Sequence, residues 1–321
     1  MDYLFALAGL VLLFLGGESL VRGAVGLARR FEVSPLFSGI VIVGFGTSAP
    51  ELFVCVEAVL RGQYDIAVGN IVGSNIANVM LILGIAALIQ PVISRGAVLR
   101  RDGVMMLASS LVLVALAVNG EVPRLAGGVL LAVLLAFIAY SFRGERNNGE
   151  GVLESAYVTE VTEMERTPQK LWLGLLISGV GIAALVAGSA LLVEGATGIA
   201  VAAGISEAVI AVTLVAVGTS LPELATVIVA ALRKHADVAL GNVLGSNIFN
   251  AFGILGVTAL VEPVMISAHF LRQDVWVMLG ASILLLVFMA TKGRVTRWES
   301  GILLTGYAGY VMFLFTIQGV A

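Results

Sequence analysis

Two copies of one short segment carry the residues best suited to chemistry. Gly46-Thr47-Ser48-Ala49-Pro50-Glu51 recurs as Gly218-Thr219-Ser220-Leu221-Pro222-Glu223, with a single change. Each copy sets a carboxylate, two hydroxyls and a proline inside a long apolar stretch, where an ionisable group is costly and functional by default. Pro50 has no N–H and its ring clashes with the carbonyl four residues back, on Gly46. That carbonyl and its neighbours lose their helical partners, and in lipid such groups must be satisfied by protein or by a polar cavity. A bound cation would satisfy them. Pro50 would also start a new half-helix whose positive end lies beside Glu51. Carbonyls, hydroxyls and a carboxylate meet there, and hard cations want oxygen ligands. A proline kink packed by small residues would explain Pro50 and the glycines but not a glutamate at that depth. Two matching copies point to one shared site.

A second pair of segments supports the first. Gly69-Asn70-Ile71-Val72-Gly73-Ser74-Asn75-Ile76-Ala77-Asn78 is matched by Gly241-Asn242-Val243-Leu244-Gly245-Ser246-Asn247-Ile248-Phe249-Asn250. Spacing of four puts Asn70, Ser74 and Asn78 in one polar stripe, with Gly69 and Gly73 as a flat face beside it. The glycines read as helix-packing residues. Ser74, Asn78, Ser246 and Asn250 read as cation contacts rather than interhelical glue. Other charged residues take plainer roles. Glu18 and Arg22, four apart, are expected to pair along one face, and the residue matching Arg22 in the second half is Glu194. Glu57 lies about 240° round the helix from Glu51 and is expected to face an access route or another polar group. Asp65 and Asp237, just before an apolar run, are expected to cap helices.

These residues must be held by a membrane scaffold. The chain is 59% hydrophobic and 12% charged, with a mean hydropathy of +1.05, far more apolar than a soluble domain. Its apolar runs are long enough for helices that cross a hydrocarbon core of about 30 Å. Ten are expected: 3–27, 35–60, 66–89, 98–118, 125–142, 171–201, 207–232, 238–261, 274–290 and 301–316. One set of alternate loops gathers Arg29, Arg30, Arg100, Arg101, Arg143, Lys170, Arg233, Lys234 and Lys292 with others, while the opposite set holds Arg61, Arg124 and Arg272. The positive-inside rule then puts both termini outside. The first helix is too long, and lacks the basic start, for a cleaved signal peptide. Cys55 is the single cysteine, so an intrachain disulfide or a cysteine cluster is excluded. His235 and His269 fall near loops and read as solvated. The polar stretch 144–169 carries six glutamates and reads as a flexible connector.

The chain also repeats itself. Thr47 and Thr219 are 172 residues apart, and the same offset relates Asp65 to Asp237, Asn70 to Asn242, Ser74 to Ser246, Asn78 to Asn250 and Pro91 to Pro263. Five spans in each half, an odd number, make the second half enter from the opposite face, as in many secondary transporters. The expected fold is an all-α membrane protein with ten transmembrane helices as two inverted-topology five-helix repeats: 1–142, then a cytoplasmic linker 143–170, then 171–321.

The doubled GTSxPE and GNxxGSNxxN segments resemble the alpha repeats of the calcium/cation antiporter superfamily, particularly its prokaryotic sodium/calcium exchangers. The resemblance covers nearly the whole chain in order. It implies alternating access by movement of the first and sixth helices and a midplane cluster of sites shared by Na⁺ and Ca²⁺. By motif position the ligands would be the carboxylates of Glu51 and Glu223, oxygens of Thr47, Ser48, Thr219, Ser220, Ser74 and Ser246, the amides of Asn78 and Asn250, and the carbonyls of Gly44 and Ala216. Potassium-dependent exchangers have aspartate where Asn250 stands, so asparagine argues against K⁺ coupling. The Ca²⁺/H⁺ branch carries its acid in a GNxxE segment, and Gly69-Asn70 and Gly241-Asn242 have no such glutamate, which favours Na⁺. Ca²⁺/H⁺ antiport and, in another class, a cation channel are the alternative readings. Neither a Ser/His nor an Asp/Asp arrangement for an enzyme is present. The expectation is therefore a non-enzymatic antiporter of a prokaryotic inner (plasma) membrane that needs no cofactor, works as a monomer in the lipid bilayer, and takes Ca²⁺ and Na⁺ but no nucleic acid.

Overall fold

The computed structural model describes residues 1–93, 99–148, 170–203 and 218–317. Its helices are α1 (Asp2–Phe31), α2 (Pro35–Thr47), α3 (Ala49–Leu60), α4 (Tyr64–Ile89), α5 (Arg100–Asn119), α6 (Arg124–Asn148), α7 (Leu171–Ala202), α8 (Leu221–Leu232), α9 (Ala236–Val261), α10 (Ala268–Arg272), α11 (Asp274–Lys292) and α12 (Arg297–Ile317). Among the described residues seven helices are long and apolar enough to cross a membrane, or eight if α2 and α3, bent by 43° across Ser48, form one span. The expected span 207–232 falls partly outside the described residues, and α8 is its described portion. The expected tenth span corresponds to α12, 21 residues long.

The two halves are interlocked through their first helices. On α1 Gly9, Gly16 and Gly23 recur every seven residues, and on α7 so do Gly174, Gly181, Gly188 and Gly195. A Cβ at Gly9 would lie 2.7 Å from the Gly188 carbonyl oxygen, and one at Gly16 would lie 2.9 Å from that of Gly181. Gly9 and Gly181 are mates at the 172-residue offset, as are Gly16 and Gly188, so the contacts are reciprocal. Rising numbers on α1 meet falling numbers on α7, hence the equivalent helices run antiparallel. That is the arrangement an inverted repeat requires.

The interior is built on α4 and α9. In their most apolar windows 78% and 83% of residues are buried, against 33% and 28% in α1 and α7, so the first pair forms the packed centre and the second lies against it. Both inner helices widen where their motif asparagines fall, into π-helical turns at Asn78–Ile82 and Phe249–Ile254; such turns are frequent at functional sites. Two short antiparallel ladders, absent from the sequence reading, tie the halves together: Val92–Ile93 with Arg294–Val295, and Glu121–Val122 with Val264–Met265. Arg297 Nε donates to the carbonyl of Leu88 at 3.1 Å, and Arg124 Nη2 to that of Val261 at 3.2 Å, closing matching helix ends across the halves.

Several local expectations are corrected. The linker expected from residue 143 is helical as far as Asn148, because Glu145 is anchored by Arg101 Nη1 at 2.7 Å and by the Ser34 amide at 2.9 Å; residues 149–169 lie outside the described set. Asp65 does not cap its helix: the cap position is Gln63, and Asp65 sits in the first turn accepting from Ser267 Oγ at 2.5 Å. Asp237 is likewise one turn position inside a helix capped at His235. Glu57, by contrast, meets another polar group, one of its two expected roles: it is exposed and paired with Arg61 of its own helix. Glu18 pairs with Arg22 at 2.5 Å as expected and also accepts from Arg233 Nε at 2.8 Å, linking α1 to the end of α8.

Candidate functional site

The bend that Pro50 predicts is present, and the backbone at Ser220 matches that at Ser48. Ser48 (φ −84°, ψ 9°) ends α2 and Ser220 (φ −88°, ψ 4°) precedes α8, each followed by a proline in the first helical turn. Neither serine has helical ψ, so the next residues start a fresh helix and Glu51 and Glu223 fall in its first turn, where exposed amides favour a carboxylate. Before the break α2 is π-helical over Gly39–Gly44, and Thr47 Oγ1 turns back onto the carbonyls of Val43 and Gly44 at 3.0 and 3.3 Å.

The two motifs serve each other's acids. Ser48 Oγ donates to Glu223 Oε1 at 2.8 Å, and Ser220 Oγ donates to Glu51 Oε1 at 3.5 Å and touches Ser74 Oγ at 3.4 Å. Glu51 and Glu223 are only 1% and 2% exposed, too deep for water to screen them. The threonines cross over too: Thr47 Oγ1 donates to Asn242 Oδ1 and Thr219 Oγ1 to Asn70 Oδ1, both at 3.3 Å. Ser246 Oγ reaches Asn242 Oδ1 at 3.1 Å and the Gly44 carbonyl at 3.2 Å.

Four oxygens of the candidate ligands have no donor: Glu51 Oε2, Glu223 Oε2, Asn78 Oδ1 and Asn250 Oδ1 are each buried and without a hydrogen-bond partner. A buried carboxylate oxygen normally finds a donor. Leaving one unpaired costs at least about 1–3 kcal/mol, and here two occur at pseudo-equivalent places, with two amide oxygens also left free at another equivalent pair of positions. A cluster that, among the described residues, offers buried free acceptors and no cationic side chain suits a hard metal ion. Among the described residues no group of His, Cys, Asp and Glu forms a three-ligand metal centre, so charge at the site comes from the two glutamates and the remaining oxygens are neutral.

Of the residues picked from the sequence, Glu51, Glu223, Thr47, Ser48, Thr219, Ser220, Ser74, Ser246 and Gly44 are drawn into this hydrogen-bonded cluster. Asn78 and Asn250 are buried with free oxygens. Ala216 lies outside the described residues. The sequence reading left out Asn70 and Asn242 as partners of the threonines, although their place in the polar stripe was visible. It also passed over Asn75, whose Oδ1 accepts from Asn250 Nδ2 at 3.0 Å. Identity of Asn75 with its mate Asn247 was the available signal.

A family model described as sodium/calcium exchanger protein matches residues 2–143 and again residues 173–316. The chain belongs to that family. Among sodium/calcium exchanger relatives, the chain is 34% identical to the sodium/calcium exchanger MaX1 of Methanosarcina acetivorans, over 98% of this chain and 99% of that one. It is 35% identical to the putative antiporter CaxA of Alkalimonas amylolytica, over 98% of each, and 37% identical to the inner membrane protein YrbG of Escherichia coli, over 96% of this chain and 94% of that one. A solved structure of the sodium-calcium exchanger NCX_Mj is similar with a TM-score of 0.81 and 30% identity over 97% of each chain. The chain is thus a multi-pass membrane antiporter of cations and not an enzyme.

Proposed function

We propose that this exchanger moves Ca²⁺ in one direction against Na⁺ in the other, by alternating access, through one cluster that holds either ion in turn. The observation that carries the proposal is that four of the candidate ligand oxygens, two on carboxylates and in matching pairs from both halves, are buried without a donor. In the proposed site Glu51 and Glu223 supply charge. Thr47, Ser48, Ser74, Thr219, Ser220 and Ser246 supply hydroxyl oxygens, Asn78 and Asn250 amide oxygens, and Gly44 and Ala216 carbonyls. The hydroxyls of Thr47, Ser48, Thr219, Ser220 and Ser246 now donate to neighbouring oxygens and that of Ser74 accepts from Ser220; each can turn its proton away and present a lone pair to an arriving ion. Because the oxygens are shared, one kind of ion must leave before the other is carried, which makes the exchange obligatory.

Two carboxylates match one Ca²⁺ in charge, while three Na⁺, the count usual in the family, would leave one net positive charge. A net charge crossing the membrane is worth ~2.3 kcal/mol per 100 mV. Exchange is therefore expected to be electrogenic, and Na⁺-driven Ca²⁺ flux in proteoliposomes should change when a valinomycin-clamped potential is imposed; flux indifferent to voltage contradicts that stoichiometry. The proposed moving unit is α1 with α7, whose seam is made of glycines and whose remaining surface is little buried. Residues 1–142 and 171–321 form the two inverted repeats, in a prokaryotic inner membrane with both termini outside and one chain sufficient.

The test is ⁴⁵Ca²⁺ uptake into liposomes with imposed Na⁺, K⁺ or H⁺ gradients. Outward Na⁺ should drive uptake, and K⁺ should neither drive nor be required. Uptake driven by H⁺ alone would support a Ca²⁺/H⁺ antiporter instead, and Ca²⁺ conductance without a counter-ion would support a channel.

A further inference from the structure

A carboxamide has one acceptor end and one donor end of nearly equal size, so a cation site built on an asparagine must fix which end is offered. Asn250 is 1% exposed; its Nδ2 donates to Asn75 Oδ1 at 3.0 Å, and its own Oδ1 is buried with no partner. Asn75, 2% exposed, is oriented in turn, because its Nδ2 is turned to the sulfur of Met278 at 3.8 Å. Sulfur is only a weak acceptor, but a thioether cannot donate, so it favours the nitrogen end of the Asn75 amide and leaves the oxygen end for Asn250. Each amide thereby sets the next, and the end of Asn250 left over is the oxygen.

We infer that Asn75 is a positioning residue for ion binding: it touches no ion, but by claiming the Asn250 nitrogen it keeps the Asn250 oxygen available to a hard cation. This rests on the reading of Asn250 as an ion ligand. An aspartate at 250 would present oxygen at both ends and need no such partner; asparagine does.

The second half supplies an internal control. Asn247 is the mate of Asn75 at the 172-residue offset, is equally buried, and directs its Nδ2 to Met106 Sδ at 3.9 Å, Met106 being the mate of Met278. Its Oδ1, however, is buried without a partner. The same residue in a matching setting thus lacks the one bond on which the inference depends.

The experiment compares Asn75→Leu, Asn247→Leu and Asn250→Ala in the purified full chain. It reads Ca²⁺ binding by titration calorimetry, unfolding temperature without Ca²⁺, and the KM and maximal rate of Na⁺-driven Ca²⁺ uptake. Loss of a partner that orients a metal ligand commonly costs about tenfold or more in affinity. Asn75→Leu should weaken Ca²⁺ binding by that factor and raise KM with little change in maximal rate. Asn247→Leu should stay near wild type in affinity, its cooperative ion-free unfolding showing that it folds. Asn75→Ser, too short to reach Asn250, should reproduce the loss if the leucine variant does not fold. The inference is overturned if Asn250→Ala weakens binding and Asn75→Leu does not, or if the two leucine variants lose affinity equally. If Asn250→Ala binds Ca²⁺ like wild type, the assignment of Asn250 as a ligand fails first.

Discussion

Glu51→Gln and Glu223→Gln should each nearly abolish Na⁺-driven Ca²⁺ uptake. The substitution keeps the shape and the oxygen that accepts from Ser220 or Ser48. It replaces a donor-free carboxylate oxygen with a group that carries hydrogens and no charge. At 1% and 2% exposure neither carboxylate is screened by water, so the lost attraction for a divalent ion is felt in a low-dielectric setting. A single pair of unit charges about 4 Å apart interacts by about 4 kcal/mol even at an effective dielectric of 20, and 1.4 kcal/mol is already tenfold in affinity. Because the serine from each half binds the acid of the other, the two variants should be equally impaired. Normal flux in either would remove that residue from the site.

Gly245→Ala should damage the scaffold at the same place. A Cβ there would fall 2.3 Å from the Ile40 carbonyl oxygen and 2.6 Å from Ile40 Cα, backbone atoms that no rotamer change can move aside. The central helix α9 would have to lift from the π-helical part of α2. Overpacking of this kind costs about 1–3 kcal/mol. The neighbouring residue is Ser246, whose hydroxyl lies 3.2 Å from the Gly44 carbonyl, so the displacement reaches the ion cluster directly. The expected result is a lower unfolding temperature in detergent together with strongly reduced Ca²⁺ exchange; an unchanged unfolding temperature would show that the two helices have room to spare.

Much of this arrangement is legible in the chain because the physics there is local. Proline breaks a helix interior but suits a first turn, so within one long apolar run Pro50 implies an ending and a fresh start at Ser48. The 172-residue offset is exact over the motifs, so the pairing of Glu51 with Glu223 follows from the repeat. What the sequence conceals depends on register between the halves. The bonds from Thr47 to Asn242 and from Thr219 to Asn70 join residues 195 and 149 positions apart, and no spacing rule connects them. The two-residue ladders are too short to leave an alternating pattern. For Glu57 the sequence leaves open an access route or another polar group, and the polar group is Arg61, one turn later at the exposed end. Asp65 was misjudged by two positions, the width of a helix boundary.

The central claim is that both acids hold one ion together, and that Na⁺ and Ca²⁺ compete for the same oxygens. Equilibrium ⁴⁵Ca²⁺ binding to the purified protein across a Na⁺ titration tests this most directly. The account predicts saturable Ca²⁺ binding that Na⁺ displaces steeply and that disappears in both Glu51→Gln and Glu223→Gln. Ca²⁺ that stays bound in either variant, or that Na⁺ does not displace, would contradict it.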